Sequence, residues 1–457
     1  MNPAPSSEPI AIRERAVREF FGRESGRLAR ACHAMAGAFA GGGTLIPFGS
    51  GAAATDAAHA AVEFMHPVIV GKRALPALAP GNDPTGASTL DRLARPGDIA
   101  LALSHRAGDP EFDRFVGRAR SLGLLTIAFT ASGPAVDSAP GADYLFEVDA
   151  DDPAVVQEVQ ETAYHVLWEL VHVFFERPGL LDGEAAEACI TCGDVAVTAD
   201  VVETAGATAV IERDGAREQV ATELVDAVRV GDRLLCHAGV ALEKVESEPT
   251  GFLYPFLDHG PGRGGPGRGV AALDEVLAEV ESSTLQKADE VTGLRARIDL
   301  GAVDRCGAAI GERLDRGGRL IAFGNGGSAT DAQDLAADTL TRGRPAIALG
   351  NDPATVTAVA NDVGFDQAYA RQLEALARPA DVAVAISTSG GSANLIAAID
   401  RAVRTRLLTV AVTGHDGGRL AGVDGLDHLF VVPSQHIPRI QEAQATIFHL
   451  LLERAGR

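Results

Sequence analysis

Two segments of the 457-residue chain carry the residue types that hold phosphate. The strand-like run RLIAF (319–323) leads into GNGGSATDAQDLAAD, and DVAVAI (381–386) leads into STSGGSANLIAAID. Both read as strand, Gly/Ser loop, helix. Backbone N–H groups at a helix start, helped by small hydroxyls such as Ser387, Thr388, Ser389 and Ser392, hold an oxyanion without any cation. One Gly-rich turn would equally suit ordinary helix capping; two in one unit point to a phosphate cradle. In an open α/β sheet both loops fall at the carboxyl ends of the strands, where ligands bind. A second constellation is Cys189-x-x-Cys192, with Cys236 and His237 further on. That spacing fits zinc, redox chemistry or plain thiols, and a strand through 236–237 points those two side chains to opposite faces.

The elements that must position the loops occur twice. LIPFGSGAAATDAAHAAVEF (45–64) aligns with RLIAFGNGGSATDAQDLAADTL (319–340), Phe48 falling on Phe323. LARPGDIALALS (93–104) answers LARPADVAVAIS (376–387), and VVQEVQETAYHVLWE (155–169) answers RIQEAQATIFHLLLE (439–453). The order is kept, which marks an internal repeat. In each copy short apolar β-rich runs alternate with Ala-rich helical segments, predicting an α/β fold with a parallel sheet covered on both faces. Between the copies, residues 189–245 are short strand-like runs broken by turns, predicting a small β-barrel. The run HGPGRGGPGRG (259–269) reads as a flexible linker. The expected organisation is therefore a first copy over 1–187, a barrel over 188–250, a linker over 251–269 and a second copy over 270–457.

Composition limits the partners. Asp and Glu number 62 against 40 Lys and Arg, a net charge of −22. Such a surface repels phosphate backbones and anionic lipid heads, so neither a nucleic acid nor a membrane is an expected partner. No run approaches 18 consecutive apolar residues. The first twenty residues lack an apolar core segment, so no signal peptide is expected. Five cysteines at uneven spacing make no disulfide framework. A cytoplasmic multidomain protein is the expectation.

GNGGSATDAQ, ISTSGGSANLIAAI and RIQEAQATIFH together resemble the SIS (sugar isomerase) fold, specifically the phosphoheptose isomerase family, closely over about 270–457 and more loosely over about 10–180. The resemblance implies two three-layer αβα domains. It implies a phosphorylated sugar as ligand, bound by Asn325, Gly326, Gly327, Ser328, Ser387, Thr388, Ser389 and Ser392, with Asn361 and Asp362 also touching it. It further implies an aldose–ketose isomerisation through an enediol, in which a carboxylate and an imidazole move protons between adjacent carbons. In the family these come from a His-x3-Glu and a Gln-x7-His, and the same four residues can hold one divalent metal, Zn or Mn/Mg, per site.

The copies depart from that pattern in opposite ways. In the second copy the His-x3-Glu is Asp334-x3-Asp338, while Gln441 and His449 remain. This makes Asp338 and His449 the expected acid–base pair, Gln441 a substrate ligand, and Asp334, Asp338, Gln441 and His449 a metal set of harder character. In the first copy His59, Glu63, Gln157 and His165 reproduce all four positions as a second metal set. Its loops, however, read GSGAA and SHRAGD, with Ala53, His105, Arg106 and Asp109 where hydroxyls and glycines are expected. A spacing of four sets two side chains on one helix face; a spacing of eight spans about 12 Å of rise and resists convergence on one ion. Either the first copy has decayed into a structural partner, or facing copies build one composite site, or each keeps its own.

The middle segment CITCGDVAVTADVVET…VRVGDRLLCHAGVALEKVE (189–245) resembles the HypC/HupF hydrogenase assembly chaperones. That resemblance implies hydrogenase maturation proteins as partners. It also implies a chaperone-type role for Cys189 and His237, with Cys189 helping to carry an Fe(CN)2CO unit. The amphipathic stretch 273–299 is expected to pack at a subunit interface of a homo-oligomer. Two functions follow: a phosphosugar isomerase tied to [NiFe]-hydrogenase maturation, or a non-catalytic assembly scaffold whose SIS domains only sense a phosphorylated ligand.

Overall fold

The computed structural model describes residues 8–456, apart from 68–71, 80–86, 134–140, 178, 182–196, 206–207, 214–215, 223–224, 226–227, 238–239 and 245–268. The first copy comprises α1 (Glu8–Ala40), β1 (Leu45–Gly49), α2 (Ala53–Met65), α3 (Ala87–Leu93), β2 (Ile99–Leu103), α4 (Pro110–Ser121), β3 (Leu125–Ala131), β4 (Tyr144–Val148) and α5 (Pro153–Phe175). The middle strands are β5 (Val197–Ala205), β6 (Thr208–Arg213), β7 (Ala216–Ala221), β8 (Arg233–His237) and β9 (Val240–Lys244). The second copy opens with α6 (Gly269–Arg295), α7 (Leu300–Asp315), β10 (Leu320–Phe323), α8 (Gly327–Thr341), β11 (Ala346–Ala348), α9 (Pro353–Asp362) and α10 (Ala368–Leu376). It closes with β12 (Val382–Ser387), α11 (Ala393–Arg404), β13 (Leu408–Gly414), β14 (His428–Val432) and α12 (Ile437–Ala455).

Both sheets are parallel, in the orders β1-β2-β3-β4 and β11-β10-β12-β13-β14. Successive residues of a strand face opposite sides, and here both sides are buried. Leu320, Ala322, Val382, Val384 and Ile386 enter one core, while Ile321, Phe323, Ala383 and Ala385 enter the other. The first copy does the same with Leu45, Ile99 and Leu101 against Ile46, Ala100 and Ala102. The expected three-layer αβα architecture is present twice. The middle strands close into a barrel in the order β5-β6-β7-β9-β8 around Val201, Ile211, Leu234 and Cys236. No helix among the described residues is long and apolar enough to cross a membrane.

One expectation needs correction. The amphipathic stretch at 273–299 packs inside the chain, with its α6 portion lying along α1 and touching α5 and α12. Ser25 donates to Glu281 at 3.2 Å, and Lys287 pairs with Glu169 at 2.6 Å. The apolar face that suggested a subunit contact is covered by the other half of the same molecule.

Candidate functional site: two composite clefts between the copies

The two copies meet through α2, α5, α8 and α12. His165 Nδ1 on α5 lies 2.9 Å from Glu442 on α12, and His449 Nδ1 on α12 lies 2.9 Å from Glu158 on α5. As the number rises along one helix it falls along the other, so the pair is antiparallel. That resolves the eight-residue spacing. Each helix gives its Gln to one cleft and its His to the other.

The first cleft gathers His59 and Glu63 of α2, His165 of α5 and Gln441 of α12. His59 Nε2 is 3.6 Å from Glu63 Oε1 and 3.0 Å from the Gln441 amide. Donor atoms of His59, Glu63 and His165 lie within 4.8 Å of one another, all buried. Facing them is Gly327, at the start of α8. A methyl group there would sit 2.2 Å from Gln441, 2.6 Å from His59 Nε2 and 3.0 Å from Glu63 Oε1. Only a residue without Cβ leaves these three groups in place.

The same cleft is closed by the second copy's loops. Gly326 takes φ +57°, which turns the chain sharply into α8. Asn325 and Asn394 exchange two side-chain hydrogen bonds at 2.9 and 3.0 Å, locking the two loops together. Ser387 Oγ accepts from Gly390 N at 3.0 Å and Ser389 Oγ from Gly391 N at 3.2 Å. Ser392 precedes α11 and makes no side-chain cap, which leaves that helix's first N–H groups open. Ser328 is buried at the head of α8. Asn361 and Asp362 stand apart: both are exposed at the end of α9, where Asn361 donates to Asp362 at 2.7 Å.

The second cleft gathers the counterparts. Gln157 donates to Asp334 at 2.7 Å, and His449 Nε2 lies 3.8 Å from Asp334 and 3.7 Å from Asp338. The loops beside them are those of the first copy, around Ser50, Ser104 and Arg106. Two sequence expectations are thereby corrected. Gln441 does not join Asp334, Asp338 and His449, and Gln157 does not join His59, Glu63 and His165. Asp338 and His449 do approach each other, yet away from the cradle at 325–328. Gly327 and Asp338 are eleven residues apart on α8, about 16 Å of rise.

Several carboxylates the spacing did not single out hold the imidazoles. Asp331 Oδ1 lies 3.3 Å from His59 Nδ1, and Glu442 takes His165 Nδ1, so each ring turns its Nε2 into the first cleft. Burial would lower the His59 pKa, but Asp331 and Glu63 outweigh it and hold the pKa well above the usual value. Burial would raise Glu158, yet Arg13 and His449 keep its pKa below the ordinary carboxylate range. His449 is held up at about 10, Asp334 and Glu158 overcoming its burial. Burial, with Asp331 nearby, raises Glu161 well above its usual value. A signal existed for the pair Glu158 and Glu442: the dipeptide Gln-Glu stands at the same place in both copies. None existed for Glu161, whose counterpart is Ala445.

A metal fits the first cleft. Both Glu63 oxygens, His165 Nε2 and Gln441 Oε1 are buried and lack hydrogen-bond partners. Two imidazoles, a carboxylate and an amide oxygen form a set suited to Zn²⁺, and the Asp331 and Glu442 contacts are the outer-shell partners such histidines carry. In the barrel, Cys236 is buried, with its thiol pushed up to about 11 by burial, and His237 ends β8. Cys189 and Cys192 lie outside the described residues.

A SIS domain model matches residues 288–414, and a HupF/HypC family model matches 195–250. Phosphoheptose isomerase of Thiobacillus denitrificans is 39% identical over 187 residues, covering 39% of this chain and 92% of that protein. The chain belongs to the phosphoheptose isomerase family. Another phosphoheptose isomerase, from Roseiflexus sp., is 46% identical over 159 residues, covering 33% of this chain and 80% of that protein. The C-terminal domain of glucosamine-fructose-6-phosphate aminotransferase from Francisella tularensis shares the fold across the molecule. Its TM-score is 0.55 at 10% identity, covering 99% of this chain and 97% of that one. This phosphoheptose isomerase relative thus joins a family-like C-terminal unit to a second SIS-fold unit and a HupF/HypC segment in one chain.

Proposed function

We propose that the chain is an aldose–ketose isomerase of a sedoheptulose 7-phosphate-like phosphosugar, with its working site in the first cleft. The observation that carries this reading is the approach of Gly327 to His59, Glu63 and Gln441. The copy that kept the phosphate loops supplies the cradle, and the copy that kept His-x3-Glu supplies the proton-transfer groups.

The substrate phosphate lies on Ser387, Thr388, Ser389 and Ser392 at the open α11 start, while 325–328, which stand against Glu63, hold hydroxyls nearer the reacting carbons. The cradle faces Glu63 and His165 of the other copy, which places C1 and C2 of the sugar between them. Glu63 takes the proton from one carbon and returns it to its neighbour, while His165 serves the oxygens of the enediol. In a metal-bound form His59, Glu63, His165 and Gln441 would be the ligands, and the metal would supply polarisation of the substrate carbonyl in place of His165, whose single free nitrogen cannot both bind it and move a proton. Asp334, Asp338 and His449 face a cleft whose cradle is altered, so they take no part in this turnover. The HupF/HypC match supports a second element of the proposal, that the barrel ties the isomerase to hydrogenase maturation proteins.

The test is turnover of sedoheptulose 7-phosphate by the full chain, with and without Zn²⁺. Formation of the aldose phosphate that is lost in His165→Ala supports the reading. Absence of turnover in the metal-loaded chain refutes it and leaves a phosphosugar-binding scaffold.

A further inference from the structure

The second cleft is a cavity of about 400 Å³, within the range of small-molecule sites. Its backbone keeps the shape of a phosphate loop: Gly51 has φ +58°, against +57° at its counterpart Gly326. Its occupant has changed. Asp109 Oδ1 accepts from the backbone N–H of Glu111 at 2.9 Å and Phe112 at 3.3 Å, and Ser104 Oγ donates to Oδ2 at 3.2 Å. A carboxylate of the chain itself therefore sits on the α4 helix start, whereas the matching Ser392 leaves the α11 start open. A ligand phosphate at that position would meet the Asp109 charge.

The compensation lies at the mouth. Arg106 replaces Ser389, and Arg342 follows Asp338 by one helical turn. Both line the cavity and both are exposed; neither makes an ion pair within 4 Å among the described residues, and Arg342 acts at longer range on the Asp338 carboxyl. Guanidinium forks grip carboxylate or phosphate in two-point fashion. Deeper in, Ser50, Ser104, Gln157 and Asp338 present hydroxyl, amide and carboxyl groups. Behind Asp338, the buried His449 Nε2 has no hydrogen-bond partner.

We propose that this cavity is a second ligand site, separate from the isomerase cleft, that takes a polyhydroxylated anion. The anionic end, carboxylate or phosphate, sits on Arg106 and Arg342, and the hydroxyls sit on Ser50, Ser104, Gln157 and Asp338. It takes its anion by side-chain charge at the mouth, not by backbone N–H groups at a helix start.

The test is calorimetric titration of the full chain with three probes: sedoheptulose 7-phosphate, gluconate and inorganic phosphate. Either sugar probe should reveal a class of sites that Arg106→Ala/Arg342→Ala weakens at least tenfold and that Gly327→Ala, which alters the other cleft, leaves intact. Binding by the phosphosugar alone, by gluconate alone or by both identifies which anionic end the site accepts. Both arginines are exposed, so their loss should leave the melting temperature unchanged. The proposal fails if neither sugar shows a class sensitive to the arginine pair, or if inorganic phosphate binds there as tightly as the sugars. Because the readout is binding, failure to turn over substrate would overturn the isomerase reading and leave this one standing.

Discussion

Replacing Gly327 by Ala examines the first cleft at its narrowest point. Ordinary van der Waals contact for a Cβ begins at 3.4 Å. From separations of 2.2 and 2.6 Å, Gln441 must retreat by about 1.2 Å and His59 by about 0.8 Å. Misplacing reacting groups by about 1 Å costs on the order of a hundredfold in rate. The helix itself should tolerate the change, since Ala is the better helix former by roughly 0.5–1 kcal/mol, which offsets part of the 1–3 kcal/mol of overpacking. The expected result is a kcat for sedoheptulose 7-phosphate about a hundredfold lower, weaker Zn²⁺ retention on dialysis, and a melting temperature within a few degrees of the parent. The first copy already carries Ala52 at this position, so Ala52→Gly should leave kcat unchanged. A Gly327→Ala protein with full turnover and full metal content would refute the geometry.

Three further outcomes are expected. Glu442→Gln removes the carboxylate that orients His165 and should weaken Zn²⁺ binding about ten- to hundredfold, measured by competition with a chelator. Glu169 is buried; desolvation would raise its pKa, but Lys287 and Arg439 pull it down to about 2. A depressed carboxyl stabilises above its unfolded value near 4.5 and loses that contribution as pH falls toward 2. Glu169→Gln should therefore cost about 3 kcal/mol at pH 7 in urea titrations, with the difference shrinking below pH 5; a pH-independent difference would contradict the assignment. Finally, the resemblance that begins at Cys189 is tested by metal analysis after anaerobic purification: bound iron that is lost in Cys189→Ser while zinc stays is the expected result, and no bound iron, or iron unchanged in Cys189→Ser, would refute a role for that thiol in holding iron.

Much of this was legible in the chain. Alternation of apolar runs with Ala-rich segments gave both parallel sheets, because strands buried on both faces read as continuous Val, Ile, Leu and Ala. The loops at 324–328 and 387–392 stood out through their glycines and hydroxyls. The pairing of side chains across the copies was not legible. Spacing tells which residues share a helix face, but not which helix that face meets, so Gln441 and His449 read as one set although α5 runs antiparallel to α12 and separates them. Likewise Asp109 was visible as a departure from Ser392. Its role as an internal anion depends on the Glu111 and Phe112 N–H groups, which only the folded loop brings to it. The amphipathic face of α6 read as a contact with a second subunit, but it lies on α1 of the same chain, since periodicity tells that a face is covered and not by what.

The central claim is that the working site draws its cradle from one copy and its proton-transfer groups from the other. The most direct measurement is kcat for sedoheptulose 7-phosphate in Glu63→Gln beside Asp338→Asn, in metal-loaded protein of equal melting temperature. Loss of about a hundred- to ten-thousandfold in Glu63→Gln, with Asp338→Asn unchanged, is the predicted result. Unchanged turnover in Glu63→Gln, or loss confined to Asp338→Asn, would contradict it.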